Sequence, residues 1–184
     1  MEQSISKTHS MILCGMFAAL VAVGAFIQIP VPFMDYFTLQ FLFVLLAGII
    51  LGPIRGATSV GVYVLIGLCG VPVFAAGGGL AYIIRPSFGY LLGFIVASYV
   101  VGMITKKRGN LSFRKMLIAC LIAMGVVYFI GIIYKYCILN FYVGTSTGIW
   151  SLLLAALPLD IPGDILLCFV AAYIGKKIRT RVRV

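Results

Sequence analysis

The stretch MLIACLIAMGVVYFIGIIYKYCIL, residues 116–139, decides the fold class of this chain. Its one charged side chain is Lys135, near the end of the stretch. About 20 predominantly apolar residues are needed for a helix to cross the hydrocarbon core of a bilayer. The whole chain is 63% hydrophobic and only 10% charged, with a mean hydropathy of +1.19. Since soluble domains have about 25% charged residues, the composition indicates an integral membrane protein.

Five further apolar segments accompany this stretch. They run over approximately Met11–Ile29, Thr38–Leu51, Ala57–Leu68, Ser87–Thr105 and Ile161–Gly175. The chain is long enough for about six such spans joined by short loops. We therefore predict an all-α integral membrane protein, a six-transmembrane-helix bundle that forms a single transmembrane domain over residues 1–184. The first segment is followed by more spans and has no evident cleavage site, which favours its retention over removal as a signal peptide.

The basic residues predict the orientation of this bundle. The net charge is +10, but the cations cluster between and after apolar segments, which is typical of contacts with lipid headgroups rather than with nucleic acid. A cytoplasmic N-terminus places twelve of the fourteen cations inside and leaves Arg85 and Lys135 outside. The positive-inside rule thus predicts a multi-pass protein of the prokaryotic cell membrane, with both termini cytoplasmic. The inner cations are Lys7, Arg55, five within Lys106–Lys115 and five within Lys176–Arg183.

The loop between the third and fourth segments reads GGGLAYIIRPSFGYLLGF, from Gly77 to Phe94. A glycine run can adopt positive φ and approach a ligand closely. Irregular backbone at membrane depth is tolerated where it lines a cavity. Three of the four acids, Asp35, Asp160 and Asp164, also fall on this predicted outer side. We therefore predict a substrate pocket near the extracellular face.

Each of these outer residues also has a purely structural interpretation. Tyrosines form belts at membrane interfaces. The carboxylate of Asp164 would complement the dipole of the last helix, and Lys135 could extend its amine to the membrane surface. The glycine run is less easily explained by structure alone.

Several kinds of chemistry find no support in the sequence. The glycine run is not followed by the GK[ST] of a nucleotide-binding loop. The five cysteines lie in apolar runs without metal-ligand spacing. The lone histidine, His9, is near the N-terminus and far from the outer acids. We expect no cofactor, no metal and no catalytic residues.

The residues Thr38–Ala75, TLQFLFVLLAGIILGPIRGATSVGVYVLIGLCGVPVFA, together with the Gly77–Phe94 loop and a later PGD ending at Asp164, resemble the BioY family. These are the biotin-specific S components of energy-coupling-factor (ECF) transporters, which serve in vitamin uptake. The resemblance implies a six-helix bundle that captures biotin from outside, as a transporter subunit without its own nucleotide site rather than an enzyme. It also implies three partner chains, a transmembrane coupling subunit and two ATPase subunits.

Biotin combines an apolar bicyclic head, a polar ureido group and a carboxylate tail. The resemblance implies that Tyr82 and Tyr90 form walls, that Asp164 accepts the ureido N–H groups, and that Gly77, Gly78 and Gly79 pack against the ligand. The family often has a lysine three residues after this aspartate, where the present chain has Leu167. We expect Arg85 to bind the ligand carboxylate instead, with Lys135 as the second candidate. Loss of the usual lysine leaves a biotin precursor or neutral derivative as possible ligands.

Small residues recur on the first predicted helix. Ala18 and Ala22 stand one turn apart, and small-xxx-small surfaces allow helices to approach closely in lipid. Their structural interpretation is packing within the bundle. S components of this class have an alanine-rich face on the first helix that contacts the coupling subunit, so the resemblance implies a coupling interface at Ala18 and Ala22.

Other functions are left open by the sequence. The ligand could be a biotin-related molecule or another small vitamin. A non-transport intramembrane enzyme would need a nucleophile–base pair, a metal cluster or paired acids at depth, for which Asp160 and Asp164 are weak support. A structural or assembly subunit would not explain the glycine loop.

Overall fold

The computed structural model describes residues 7–29, 37–106, 112–156 and 160–181. Within these ranges the chain is mainly helical, as predicted, with one short antiparallel ribbon in which Gln28 pairs with Thr38 and Ile29 with Phe37. The helices are α1 Lys7–Phe26, α2 Gln40–Leu51, α3 Pro53–Leu68, α4 Phe88–Thr105, α5 Phe113–Cys137, α6 Ile149–Ala156 and α7 Asp160–Arg181. The ribbon strands are β1 Gln28–Ile29 and β2 Phe37–Thr38; a 3-10 helix covers Leu80–Ile84, and a π-helix, Ile138–Val143, extends α5.

Three of the described helices are long and apolar enough to cross a membrane. They are α1, α4 and α5 together with its π-helical extension, Phe113–Val143. The helices α2 and α3 are apolar but shorter, with 12 and 16 residues. These lengths support a membrane-embedded bundle and leave the count of six spans as a prediction.

The break between α2 and α3 lies at the GP pair of the sequence. Gly52 has a φ of +83°, which ends α2, and Pro53 is the first residue of α3. Proline is well suited to this position because the first helical N–H groups have no partner within the helix. The third helix therefore begins at Pro53, four residues before the apolar run at Ala57 from which it was predicted.

The helix α2 lies at the centre of the bundle and is buried on most of its surface. Phe41, Leu45 and Ile49 pack into one apolar cluster with residues of α4, α5 and α7. Val44 and Ala47 pack into a second cluster with α1, α3 and the loop before α4. This burial explains why α2 is apolar on all sides, which is typical of a helix without a solvated face.

A close contact between helices depends on one glycine of α2. A β-carbon at Gly48 would lie 2.3 Å from the backbone oxygen of Ser98 in α4. Only a residue without a side chain allows this approach, as in the small-residue contacts that pack membrane helices. The contact holds α4 against α2, and α4 in turn packs along α5.

Candidate functional site

One end of the bundle contains a cavity with an empty volume of about 920 Å³, including its open mouth. The helix ends that carry Arg55, Lys106, Arg114 and Lys176 lie at the opposite end of the bundle. The described lining residues are Phe37, Thr38, Gln40, Phe41, Ala75, Ala76, Tyr82, Ser87, Tyr90, Leu91, Phe94, Val127, Tyr128, Lys135, Asp160 and Asp164.

The loop after α3 forms part of this lining. Phe74 and Gly77 exchange backbone hydrogen bonds of 2.9 and 3.2 Å, so the chain reverses direction around Ala75 and Ala76. The side-chain amide of Gln28 donates to the Ala75 carbonyl at 2.7 Å. The loop thus presents Ala75 and Ala76 to the cavity from a backbone that is tied to β1.

The predicted glycines shape this loop and are not among the described residues that line the cavity. Gly77 and Gly79 have φ values of +113° and +99°, which residues with a β-carbon rarely adopt. A β-carbon at Gly78 would lie 2.3 Å from the Val71 carbonyl oxygen. The backbone N–H of Gly79 donates to Gly67 at the end of α3, at 2.7 Å. Gly78 and Gly79 therefore contact the end of α3 and the residues after it, whereas their predicted role was contact with the ligand.

Arg85 was the first predicted partner for a ligand carboxylate, yet it does not belong to the described lining. Its side chain is exposed, and its guanidinium carbon lies 5.4 Å from the ring centre of Tyr82. Tyr82 is itself buried and lines the cavity. Arg85 thus contacts the tyrosine wall by a cation–π interaction.

Asp164 lies in the cavity, as the sequence predicted, in the second turn of α7. One of its carboxylate oxygens, Oδ2, accepts a hydrogen bond of 2.8 Å from the Tyr128 hydroxyl of α5. Asp160, one helical turn earlier in α7, also lines the cavity. Carboxylates accept hydrogen bonds and donate none when ionised, so this side of the cavity offers acceptors to a ligand.

Lys135 is the one cation among the described lining residues. It lies in the last turn of α5 and is half-buried. Leu167, which occupies the position where the family often has lysine, is only 5% exposed and packs in the apolar cluster of α2, α5 and α7. The structure therefore places Lys135, the second candidate from the sequence, in the same cavity as Asp160 and Asp164.

Aromatic residues form much of the remaining wall. Tyr90 meets Tyr128 edge to face, with ring centres 6.1 Å apart. A β-carbon at Gly131 of α5 would come within 2.6 Å of the Tyr90 ring, so this glycine makes room for it. Phe41 and Phe94 stack at 5.9 Å. Such rings suit the apolar faces of a small ligand.

Several functional candidates were not among the residues predicted from the sequence. Tyr128 and Gln40 were missed because they lie within apolar helices, and Asp160 was noted but not assigned to the site. A signal existed, since a polar group within an apolar membrane helix is costly and commonly functional. Asp35 lies outside the described residues.

The predicted coupling residues of α1 differ in their accessibility. Ala18 is 5% exposed and packs with Phe17 and Val21 in the cluster shared with α2 and α3. Ala22 is half-buried against the same cluster. Gly15 and Ala19 are the exposed small residues of this helix. Helical spacing predicted a row of small residues on α1, but packing turned Ala18 toward the interior.

Comparison with known proteins gives a consistent result. The BioY family profile matches residues 1–184. The probable biotin transporter BioY of Lysinibacillus sphaericus is 37% identical over 94% of this chain and 87% of its own length. The biotin transporter BioY of Thermotoga maritima is 40% identical over 73% of this chain and 76% of its own.

A solved structure agrees in fold. The crystal structure of the S-component for biotin from an ECF-type ABC transporter superimposes with a TM-score of 0.82. It is 25% identical in sequence and covers 98% of this chain and 95% of its own. The match over the whole length, the apolar helical bundle and the cavity beside PGD together show that this chain belongs to the BioY family.

Proposed function

We propose that this chain is the substrate-binding S subunit of an ECF-type vitamin importer and that its ligand is biotin. The observation that carries the proposal is the cavity, in which aromatic walls surround two carboxylates and one lysine. Biotin offers complementary groups, since its ureido N–H groups can donate to Asp164 and its carboxylate can pair with a cation. The named activities of the similar proteins support the same ligand.

The positions of Tyr128 and Lys135 support one orientation of the ligand. The two residues are seven positions apart in α5, which is about two helical turns, or roughly 10 Å along the axis. Tyr128 binds Asp164 at one position along the axis of α5, and Lys135 lies about two turns further, closer to the end of that helix. A bicyclic head at Asp164 would direct the flexible carboxylate chain toward Lys135.

Lys135 therefore replaces Arg85 in the proposed site. The proposed ligand-contacting residues are Tyr82, Tyr90, Lys135 and Asp164, with Asp160 and Tyr128 as additions. Gly77, Gly78 and Gly79 support the loop behind Ala75 and Ala76, and Arg85 supports Tyr82. A neutral biotin derivative would leave Lys135 without a partner in the ligand, so the cation favours the free carboxylic acid.

We propose that the membrane orientation follows the charge distribution, with six spans and both termini in the cytoplasm. The cavity lies at the end of the bundle opposite the basic helix ends, which supports an extracellular opening. Transport would depend on a coupling subunit and two ATPase subunits. The exposed residues Gly15 and Ala19 of α1 are the better candidates for the coupling interface, because Ala18 is buried.

Binding of radiolabelled biotin to the purified full-length chain in detergent tests the proposed ligand. We expect saturable retention that excess unlabelled biotin displaces and that biotin methyl ester, which lacks the carboxylate charge, displaces less well. The control is material purified in the same way from membranes that lack this chain. Failure to retain biotin, with the protein folded by size-exclusion chromatography, would contradict the proposal.

A further inference from the structure

The cavity contains a hydrogen-bond donor that none of the described residues satisfies. Gln40, the first residue of α2, is only 3% exposed and lines the cavity. Its side-chain nitrogen Nε2 is buried and has no hydrogen-bond partner among the described residues. Two serine hydroxyls of the described chain share this condition, Ser10 and Ser98, but neither lines the cavity.

One internal alternative is the hydroxyl of Tyr63 in α3. It interacts with the Gln40 side chain but without the geometry of a hydrogen bond to Nε2. Tyr63 donates its own proton to the Val73 carbonyl at 3.1 Å. Buried polar groups are nearly always hydrogen-bonded, and an exception at a cavity wall calls for a partner that enters the cavity.

We infer that the Gln40 amide recognises the carbonyl oxygen of the ligand's ureido ring. This inference rests on the proposed function and adds the residue that donates a hydrogen bond to the ureido oxygen of the ligand. A cyclic urea has two N–H donors and one carbonyl acceptor. The carboxylate of Asp164 suits the donors, whereas the carbonyl needs a neutral donor such as an amide N–H.

Two other donors of the described lining, Tyr128 and Lys135, are less suited to this task. The Tyr128 hydroxyl proton is committed to Asp164 at 2.8 Å. Lys135 is charged and is placed to meet the ligand carboxylate. Gln40 also sits at the start of a buried helix, where Phe41 fixes the position of the backbone in the apolar cluster. A rigid donor of this kind discriminates strongly, because a ligand without the acceptor leaves it unpaired.

The test compares biotin with 2-iminobiotin at neutral pH, where a protonated imine replaces the carbonyl and removes the acceptor. We expect the wild-type chain to bind biotin at least tenfold more tightly than 2-iminobiotin. The analogue loses the hydrogen bond to Gln40 and places its own N–H donor against the amide N–H. Gln40→Met should weaken biotin binding about tenfold and reduce the preference to within about twofold. Gln40→Glu should reverse the preference, because a carboxylate accepts from the cationic imine.

Tyr63→Phe is the matched control, since it removes the neighbouring hydroxyl and should leave the preference unchanged. Equal affinity of the wild-type chain for both ligands would overturn the inference, even if the Gln40 variants do not fold. A full preference in folded Gln40→Met, or a preference lost equally in Tyr63→Phe, would also overturn it. Absence of biotin binding by the wild-type chain would instead contradict the proposed function.

Discussion

At the residue scale, the structure distinguishes two cations that the sequence alone could not rank as partners for the ligand carboxylate. Lys135 lines the cavity at the end of α5, while Arg85 is exposed beside the ring of Tyr82. Both lie in regions predicted to face outward, and both are near aromatic residues in the sequence. Only the positions of α5 and the 3-10 helix around the cavity distinguish them.

We predict that Lys135→Met weakens biotin binding by about 1.5–3 kcal/mol, the usual value of a hydrogen bond to a charged group. Arg85→Met is the matched control and should change the binding free energy by less than about 1 kcal/mol, as expected for an exposed cation–π contact. Equilibrium binding of radiolabelled biotin measures both. The reverse ranking of the two variants would restore Arg85 as the carboxylate partner.

At the scale of the elements, the loop between α3 and α4 is held by backbone contacts to α3. Gly78 is tightly placed, since a β-carbon would come within 2.3 Å of the Val71 oxygen and 3.0 Å of the Gly67 oxygen. Backbone oxygens cannot turn aside as a flexible side chain can. The loop therefore depends on glycine for its shape, and the shape places Ala75, Ala76 and Tyr82 at the cavity.

We predict that Gly78→Ala lowers the free energy of unfolding by about 1–3 kcal/mol, as for other overpacked positions. Gly125→Ala in α5 is the control, because nothing lies within 4 Å of its added β-carbon. Alanine is the better helix former, so that variant should be neutral or more stable by about 0.5–1 kcal/mol. Thermal unfolding of the ligand-free protein in one detergent compares them. Equal stability of the two variants would contradict the close packing of Gly78.

The helix α1 presents two different faces. Phe17, Ala18 and Val21 are buried against the bundle, whereas Gly15 and Ala19 are exposed. A β-carbon on Gly15 would meet nothing within 4 Å in this chain, so the surface is open. A partner helix could approach closely here, because small residues allow backbones to come together in lipid.

We predict that Ala19→Trp prevents recovery of the coupling subunit in a pull-down and leaves biotin binding within twofold of the wild-type value. Ile122→Trp is the control, an exposed position of α5 that should preserve the complex. Normal recovery of the coupling subunit with Ala19→Trp would show that the interface lies elsewhere.

At the scale of the whole molecule, the cavity and most of the described cations lie at opposite ends of the bundle. The starts of α4 and α7 and the end of α5 surround the cavity. The other ends of the same helices carry the basic residues, including Lys106, Arg114 and Lys176. A membrane with cytoplasmic anionic lipids would stabilise this orientation.

We predict that Cys69, exposed at the end of α3 on the cavity side, reacts with a membrane-impermeant maleimide in intact cells. A Lys176→Cys substitution in a background that carries Cys69→Ser and Cys137→Ser should react only after the cells are permeabilised, because Cys137 is also exposed at the cavity end of the bundle. The buried thiols of Cys120 and Cys168 should contribute little in either case. The opposite orientation would be indicated if the cysteine at position 176 reacted in intact cells and Cys69 of the unmodified chain did not.

The amino-acid sequence by itself determined the membrane class, the approximate helix positions and four of the cavity residues, Tyr82, Tyr90, Lys135 and Asp164. The membrane class and the helix positions follow from hydropathy, which is a local property of the chain, whereas the cavity residues were chosen with the help of the resemblance to the BioY family. Only the tertiary structure showed that Gly78 and Arg85 lie outside the lining and that Ala18 is buried. Only the tertiary structure also showed that Gln40, Asp160 and Tyr128 line one cavity. The rotation of each helix about its axis decides such questions, and that rotation depends on packing between residues distant in sequence.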